Sequence, residues 1–200
     1  MVERITSSAV GSQESAERTG SLSRRRVLKL GTVIAGTALL PGVALADLRV
    51  PYPPERTLKF YNLHTGESLS TTYCEKGCYI DGALKEINYI LRDFRANELK
   101  PIDPRLLDLL YSINRGLYTA EPFDIISGYR SPATNAMLAA RSEGVARHSM
   151  HIQGKAADIR VPGRSLGQVW RAAIGLWSGG VGFYPRSDFV HVDVGRVRFW

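Results

Sequence analysis

Cysteine is scarce in this chain: Cys74 and Cys78 are the only two in 200 residues, with no further cysteine or histidine beside them. A closed structural zinc site needs four nitrogen or sulfur ligands, so this pair makes a poor one. An oxidising compartment would allow a small disulfide loop between them, two free thiols being the alternative, and neither reading gives them a part in the chemistry. Long apolar runs are also missing. The stretch from Leu30 to Leu40 is about half of the 20 or so residues needed to span a bilayer, which argues against a membrane anchor. No Gly-x-Ser-x-Gly elbow surrounds Ser127 or Ser131, so a serine hydrolase lacks its nucleophile. Basic residues never line up with interleaved aromatics, which argues against a nucleic-acid partner. No repeat or low-complexity segment follows the N-terminal leader.

That leader is the first positive signal. Ser23-Arg24-Arg25-Arg26-Val27-Leu28-Lys29 precedes the short apolar run, and Ala44-Leu45-Ala46 follows it. A charged segment, a short apolar segment and a small-x-small site make an export signal. Consecutive arginines before Val-Leu-Lys fit its twin-arginine form, so residues 1–46 are read as a signal for the twin-arginine export machinery and a periplasmic destination. That route carries folded proteins, which suits a chain that takes up a metal before export. Of 26 basic and 19 acidic residues, six and three lie in the leader. The remainder, residues 47–200, holds 20 against 16, a modest positive balance that suits a polyanionic envelope. At 154 residues it is one ordinary domain, long enough for a real core.

Residues 47–80 hold short extended pieces and turn residues, and are expected to form an irregular hairpin region. Asp81 is expected to cap a helix running to about Ala96, with Leu84, Ile87, Ile90, Leu91 and Phe94 on one face. A second helix is expected from Asp103-Pro104 to near Gly116. Phe123-Asp124-Ile125-Ile126 reads as a strand, and Ser131-Pro132 opens a helix to about Ala140. Strands are expected over 156–161, 181–184 and 189–194, with a helix from Ser165 to Trp177. The sum is an α+β domain, a small, mostly antiparallel sheet with flanking helices.

The chemistry concentrates in two places. One is His148-Ser149-Met150-His151-Ile152-Gln153-Gly154-Lys155-Ala156-Ala157-Asp158, the other Asp188-Phe189-Val190-His191-Val192-Asp193. Strand alternation turns Ala157, Ile159 and Val161 to one face and Asp158 to the other. In the last strand Val190, Val192 and Val194 face the core, while His191 and Asp193 share the opposite face. Polar side chains displayed from an apolar sheet need a reason, and a divalent metal held by two imidazoles and one carboxylate supplies it. Three protein ligands with an open position is the arrangement of catalytic zinc.

Ser149-x-His151-x-x-Gly154-x-Ala156-x-Asp158 resembles the signature of the zinc D-alanyl-D-alanine carboxypeptidase superfamily, which takes in dipeptidases of vancomycin resistance, phage endolysins, murein endopeptidases and the hedgehog signalling domain. Ser127-Gly128-Tyr129-Arg130-Ser131 and Phe189-Val190-His191-Val192-Asp193 are similar to the same family, above all to its exported murein endopeptidase branch. The resemblance is strongest over 123–200, which would form the metal-site core, and extends to the helical region 81–118; the cysteines are not expected of it. It implies a hedgehog/DD-peptidase-like fold, a Zn2+ cofactor, and His151, Asp158 and His191 as its ligands. It also implies a carboxylate base three residues before the last histidine, which is Asp188; Asp193 competes because it shares a face with His191. Arg130 corresponds to the arginine that steadies the substrate carbonyl, the alternative being an arginine that pins its own turn.

The implied substrate is the peptide part of peptidoglycan, its stem peptides or cross-links. Endopeptidase action on cross-links is the first expectation. A D,D- or L,D-carboxypeptidase trimming stem peptides, or a metal-stabilised wall-binding module without catalysis, are the alternatives.

Overall fold

A computed structural model describes residues 53–142 and 144–200. The leader read over 1–46 lies outside them. Strand β1 (Glu55–Asn62) alternates exposed and buried residues along its whole length, the pattern of a strand with one covered face. It pairs antiparallel with β2 (Ser68–Glu75), and β3 (Cys78–Tyr79) adds to β2. The N-terminal region is therefore a regular hairpin with one bulge at Arg56/Thr57, and not the irregular one its turn residues suggested. Glu75 lies opposite Cys78, which turns Cys78 to the other face from Cys74, and both thiols are free.

The hairpin joins a sheet of eight strands in the order β3-β2-β1-β4-β5-β7-β6-β8, larger than the small one anticipated. Here β4 is Phe123–Ser127, β5 Ala156–Arg160, β6 Gly180–Tyr184, β7 Phe189–Asp193 and β8 Arg198–Phe199. Pairing is antiparallel except for β1 with β4 and β6 with β8. One face carries Phe60, Phe123, Ile125, Ile159, Val190, Val192 and Val181, all buried in a continuous core. Helices α1 (Asp81–Ile90), α2 (Pro104–Gly116) and α4 (Leu166–Ile174) supply the rest: α1 packs on β2, α2 on β1 and α4, and α4 on β6 and β7.

Local chemistry explains the helix ends. Asp103 accepts from Arg105 N ahead of Pro104, Ser131 accepts from Thr134 N at the start of α3 (Pro132–Arg141), and Ser165 with Gln168 forms a complete capping box. Helix α1 departs from expectation at both ends. Its cap position is Ile80, with no side-chain bond, and Asp81 is the first helical residue, where a carboxylate still favours the helix N-terminus. It stops at Ile90, because the next groups are committed elsewhere. Leu91 O accepts from Tyr129 N (2.7 Å), and buried Asp93 accepts from Ser131 N (2.9 Å) and Arg95 N (3.0 Å). The end of α1 is thereby tied to the loop that carries Arg130. Helix α4 likewise ends at Ile174, three residues short of Trp177, which has φ +49° and cannot continue it.

Candidate metal centre

The sheet face opposite the core carries the polar residues. Antiparallel pairing sets Asp158 of β5 directly across from His191 of β7. His151 arrives from a short 3-10 helix, Met150–Gln153, which Ser149 caps by accepting from His151 N (3.3 Å). That helix ends at Gly154 with φ +67°, where an added Cβ would lie 2.5 Å from Pro101 O, so a side chain is excluded both by conformation and by space.

The three side chains converge. His151 Nε2 is 3.2 Å from Asp158 Oδ1 and 3.2 Å from His191 Nδ1, and His191 Nδ1 is 2.8 Å from Asp158 Oδ1. Two ligands each 2.0–2.1 Å from one tetrahedral ion lie about 3.3 Å apart, so the triangle has the edge lengths of one face of a metal coordination shell. Among the described residues this is the group of histidine, cysteine or acidic side chains arranged to hold an ion.

The imidazole tautomers agree. His151 Nδ1 donates to Gly128 O (2.7 Å), and His191 Nε2 donates to Asp193 Oδ2 (3.0 Å). Each ring thus spends its proton away from the triangle and turns a lone pair towards it, as outer partners of metal-bound histidines do. Electrostatics favours a positive charge inside the triangle, so that without an ion a proton competes for His191 Nδ1. Burial disfavours the Asp158 anion, but His151 and His191 outweigh it and hold the carboxyl well below the ordinary range. Burial alone would lower His191, yet Asp158 and Asp193 push the imidazole up to about 9.

The triangle faces a cleft of about 150 Å³, also lined by Arg130, His148, Tyr184, Phe189 and Trp200. Arg130 is buried. It donates to Ser127 Oγ (3.1 Å) and Asn135 Oδ1 (3.3 Å) and approaches Asp158 Oδ2 at 3.5 Å. Asn135 in turn donates to Ala146 O (3.1 Å), so one buried amide links the arginine to the loop along the cleft. The Trp200 ring lies 5.4 Å from that of His191, and its Nε1 donates to Tyr184 Oη (2.7 Å).

The sequence profile described as "Peptidoglycan L,D-endopeptidase MepK" matches residues 51–200. The chain belongs to this family of peptidases. Peptidoglycan L,D-endopeptidase MepK of Escherichia coli (strain K12) is 47% identical over 178 residues, which cover 89% of this chain and 97% of that protein. The probable peptidoglycan L,D-endopeptidase MepK of Haemophilus influenzae is 43% identical over 180 residues, 89% and 95% of the two chains. The crystal structure of the Serratia marcescens L-Ala D-Glu endopeptidase ChiX aligns with a TM-score of 0.32 at 20% identity, over 48% of this chain and 68% of that one, a likeness too small to bear on fold or activity.

In this MepK-family chain the two carboxylates expected to compete as proton acceptor occupy different places. Asp193 is fully buried and saturated: His191 Nε2 and Arg198 Nη2 meet Oδ2, while Gly180 N, Gly195 N and Arg198 Nη1 meet Oδ1. It contacts the side of His191 that faces away from the triangle. It therefore orients the His191 ring, and its two oxygens are occupied by these donors and not turned to the cleft. Asp188 sits exposed on the turn before β7 with φ +55°, ion-paired to Arg160 and outside the cleft lining. His64, given no role, stacks on Phe94 (4.2 Å). Sequence reasoning missed Asp93, Asn135, Arg198 and Trp200. Asp193-x-Gly195-x-x-Arg198-x-Trp200 was the available signal, but a two-residue strand has no periodicity to read.

Proposed function

We propose that this chain is a zinc-dependent murein endopeptidase that hydrolyses an L,D peptide bond in the cross-links of peptidoglycan. One observation carries the reading: two imidazole lone pairs and a carboxylate oxygen meet in a triangle of 2.8–3.2 Å on the floor of a cleft. Family membership supplies the substrate, since relatives matched over nearly their whole length are named for that activity.

Nitrogen and oxygen donors without thiolate, three in number, suit catalytic zinc, and His151, Asp158 and His191 would hold it. When bound there, zinc supplies a Lewis acid for the scissile carbonyl and lowers the pKa of water. The chain's own groups do the rest. Arg130, held by Ser127 and Asn135, presents a positive charge where the carbonyl oxygen gains negative charge. Burial makes that guanidinium easier to deprotonate than usual, while Asp158 opposes the shift. Of the two carboxylates Asp188 keeps solvent access, and its role as base requires that it leave Arg160 and turn into the cleft when substrate binds. Tyr184, Phe189 and Trp200 give the cleft an apolar wall for the aliphatic parts of stem peptides.

This substrate lies beyond the cytoplasmic membrane. Residues 1–46 accordingly serve as a twin-arginine signal and 47–200 as the working domain in the periplasm; among the described residues no helix is long and apolar enough to cross a membrane. The test is digestion of purified sacculi containing L,D cross-links, read as muropeptide profiles. Zinc-loaded wild type converts cross-linked dimers to monomers; His151→Ala does not, and Asp188→Asn retains zinc but slows at least 100-fold. Intact dimers after wild-type digestion would refute the endopeptidase and favour a wall-binding module. Release of terminal D-alanine alone would favour the carboxypeptidase.

A further inference from the structure

The last strand stands against the metal centre for a reason the family activity does not state. Arg198 of β8 holds Asp193 with both terminal nitrogens, Nη2 to Oδ2 at 2.6 Å and Nη1 to Oδ1 at 3.1 Å. That carboxylate is fully buried, and its Oδ2 also receives His191 Nε2 at 3.0 Å. A buried carboxylate facing a neutral imidazole alone would be costly, and a two-pronged guanidinium is the partner that offsets it best. The seat for this arrangement is built into β6. Gly180 pairs with Arg198 across the parallel ladder, and a Cβ at Gly180 would collide with both Arg198 Nη1 and Asp193 Oδ2. The outer face of the guanidinium is covered by the Trp200 ring, 4.9 Å from Arg198 Cζ. Since the ring of Trp200 also lies 5.4 Å from that of His191, the strand closes over the back of the ligand.

We infer that Arg198 is a positioning residue for the metal centre: through Asp193 it locks the ring orientation and tautomer of His191, so that Nδ1 presents its lone pair to the ion. The inference rests on His191 being a metal ligand, as proposed above. Arg198 has no hydrogen bond to the three ligand atoms; although its side chain also lines the cleft, it reaches His191 through the chain Arg198–Asp193–His191. Removing the guanidinium leaves Asp193 held only through Oδ1, by Gly180 N and Gly195 N, so the grip of Oδ2 on His191 loosens and the cost of organising the site rises.

The experiment is Zn2+ affinity of the metal-free full-length protein by competition with a chromophoric chelator, with thermal unfolding of the metal-free forms alongside. Arg198→Met weakens Zn2+ binding 10- to 100-fold; Arg198→Lys, which restores the charge without the fork, recovers part of that loss. Asp193→Asn weakens binding similarly, and the double variant Asp193→Asn/Arg198→Met is no weaker than Asp193→Asn alone, because the two residues act as one unit. A simple structural role for Arg198 would lower the metal-free unfolding temperature and leave this non-additivity absent. If Arg198→Met does not fold, the Lys variant carries the comparison, with a loss of at least threefold expected. Affinities within twofold of wild type in the folded variants, or additive losses in the double variant, overturn the inference while leaving the metal site intact. A wild type that binds no Zn2+ overturns both.

Discussion

His151 and His191 resemble each other in sequence and differ in the way each is held. His151 uses Nε2 towards the triangle because a main-chain carbonyl, Gly128 O, takes the proton on Nδ1; His191 uses Nδ1 because Asp193 takes the proton on Nε2. Opposite nitrogens therefore serve one centre, set in each case by the group behind the ring. Alternation along β7 put His191 and Asp193 on one face, and that much was readable. It could not say that Asp193 stands behind the ring and not beside the cleft. Arg130 shows the same division: its place in Ser127-Gly128-Tyr129-Arg130 marked it, but its grip on Asn135 and approach to Asp158 come from contacts across the fold. A guanidinium aimed at developing charge has a defined consequence. Arg130→Lys should lower kcat on cross-linked muropeptides by about 100-fold or more while Zn2+ stoichiometry stays at the wild-type value. Parallel kinetics and metal analysis decide it, and loss of metal would reassign Arg130 to supporting Asp158.

The elements hold these residues through their ends more than through their middles. The 3-10 helix places His151 because Ser149 caps one end and Gly154 turns the other with φ +67°. Gly154→Ala should cost about 1–3 kcal/mol in urea unfolding of the metal-free protein, since the left-handed conformation and the contact with Pro101 O both oppose a side chain. An unchanged midpoint would show that the loop relaxes freely. Helix α1 teaches the complementary lesson. Its apolar stripe continued to Phe94, yet it ends at Ile90, because Asp93 turns to Ser131 N and fastens the Arg130 loop. Burial raises the Asp93 carboxyl, but hydrogen bonds from Thr134 and Ser131 outweigh this and hold it below its ordinary 3.8. A depressed folded value means that stability is fully present above the ordinary value and is lost as pH falls through it towards the folded one. Urea midpoints measured from pH 6 down to pH 3 should therefore fall below about pH 4 in wild type, and Asp93→Asn, already weaker at pH 6, should show a shallower acid limb. Equal limbs would mean that Asp93 carries no net ionisation coupling.

The described residues form one sheet with two jobs: an apolar face packed under α1, α2 and α4, and a polar face on which β5, β7 and β8 bring the candidate centre together. Because three segments meet at the proposed ion, its removal should loosen them together. Stripping metal with a chelator should abolish cross-link cleavage and lower the unfolding temperature, by the equivalent of about 2.7 kcal/mol if the loaded sample held free Zn2+ at 100 times its Kd. Re-addition of Zn2+ should restore both; recovery of neither would indicate collapse of the site on stripping. Much of this architecture was local information. Ser131-Pro132 and Ser165 announce helix starts, alternation announces β5 and β7, and the spaced histidines and aspartates point to the candidate centre, because caps and faces depend on residues a few positions apart. Register, by contrast, decided that Asp158 lies across from His191, that Asp193 meets the far side of the His191 ring, and that Arg198 reaches it over Gly180. Those choices depend on which distant groups a buried carboxylate finds within hydrogen-bond reach, and that is fixed only when the strands are laid side by side.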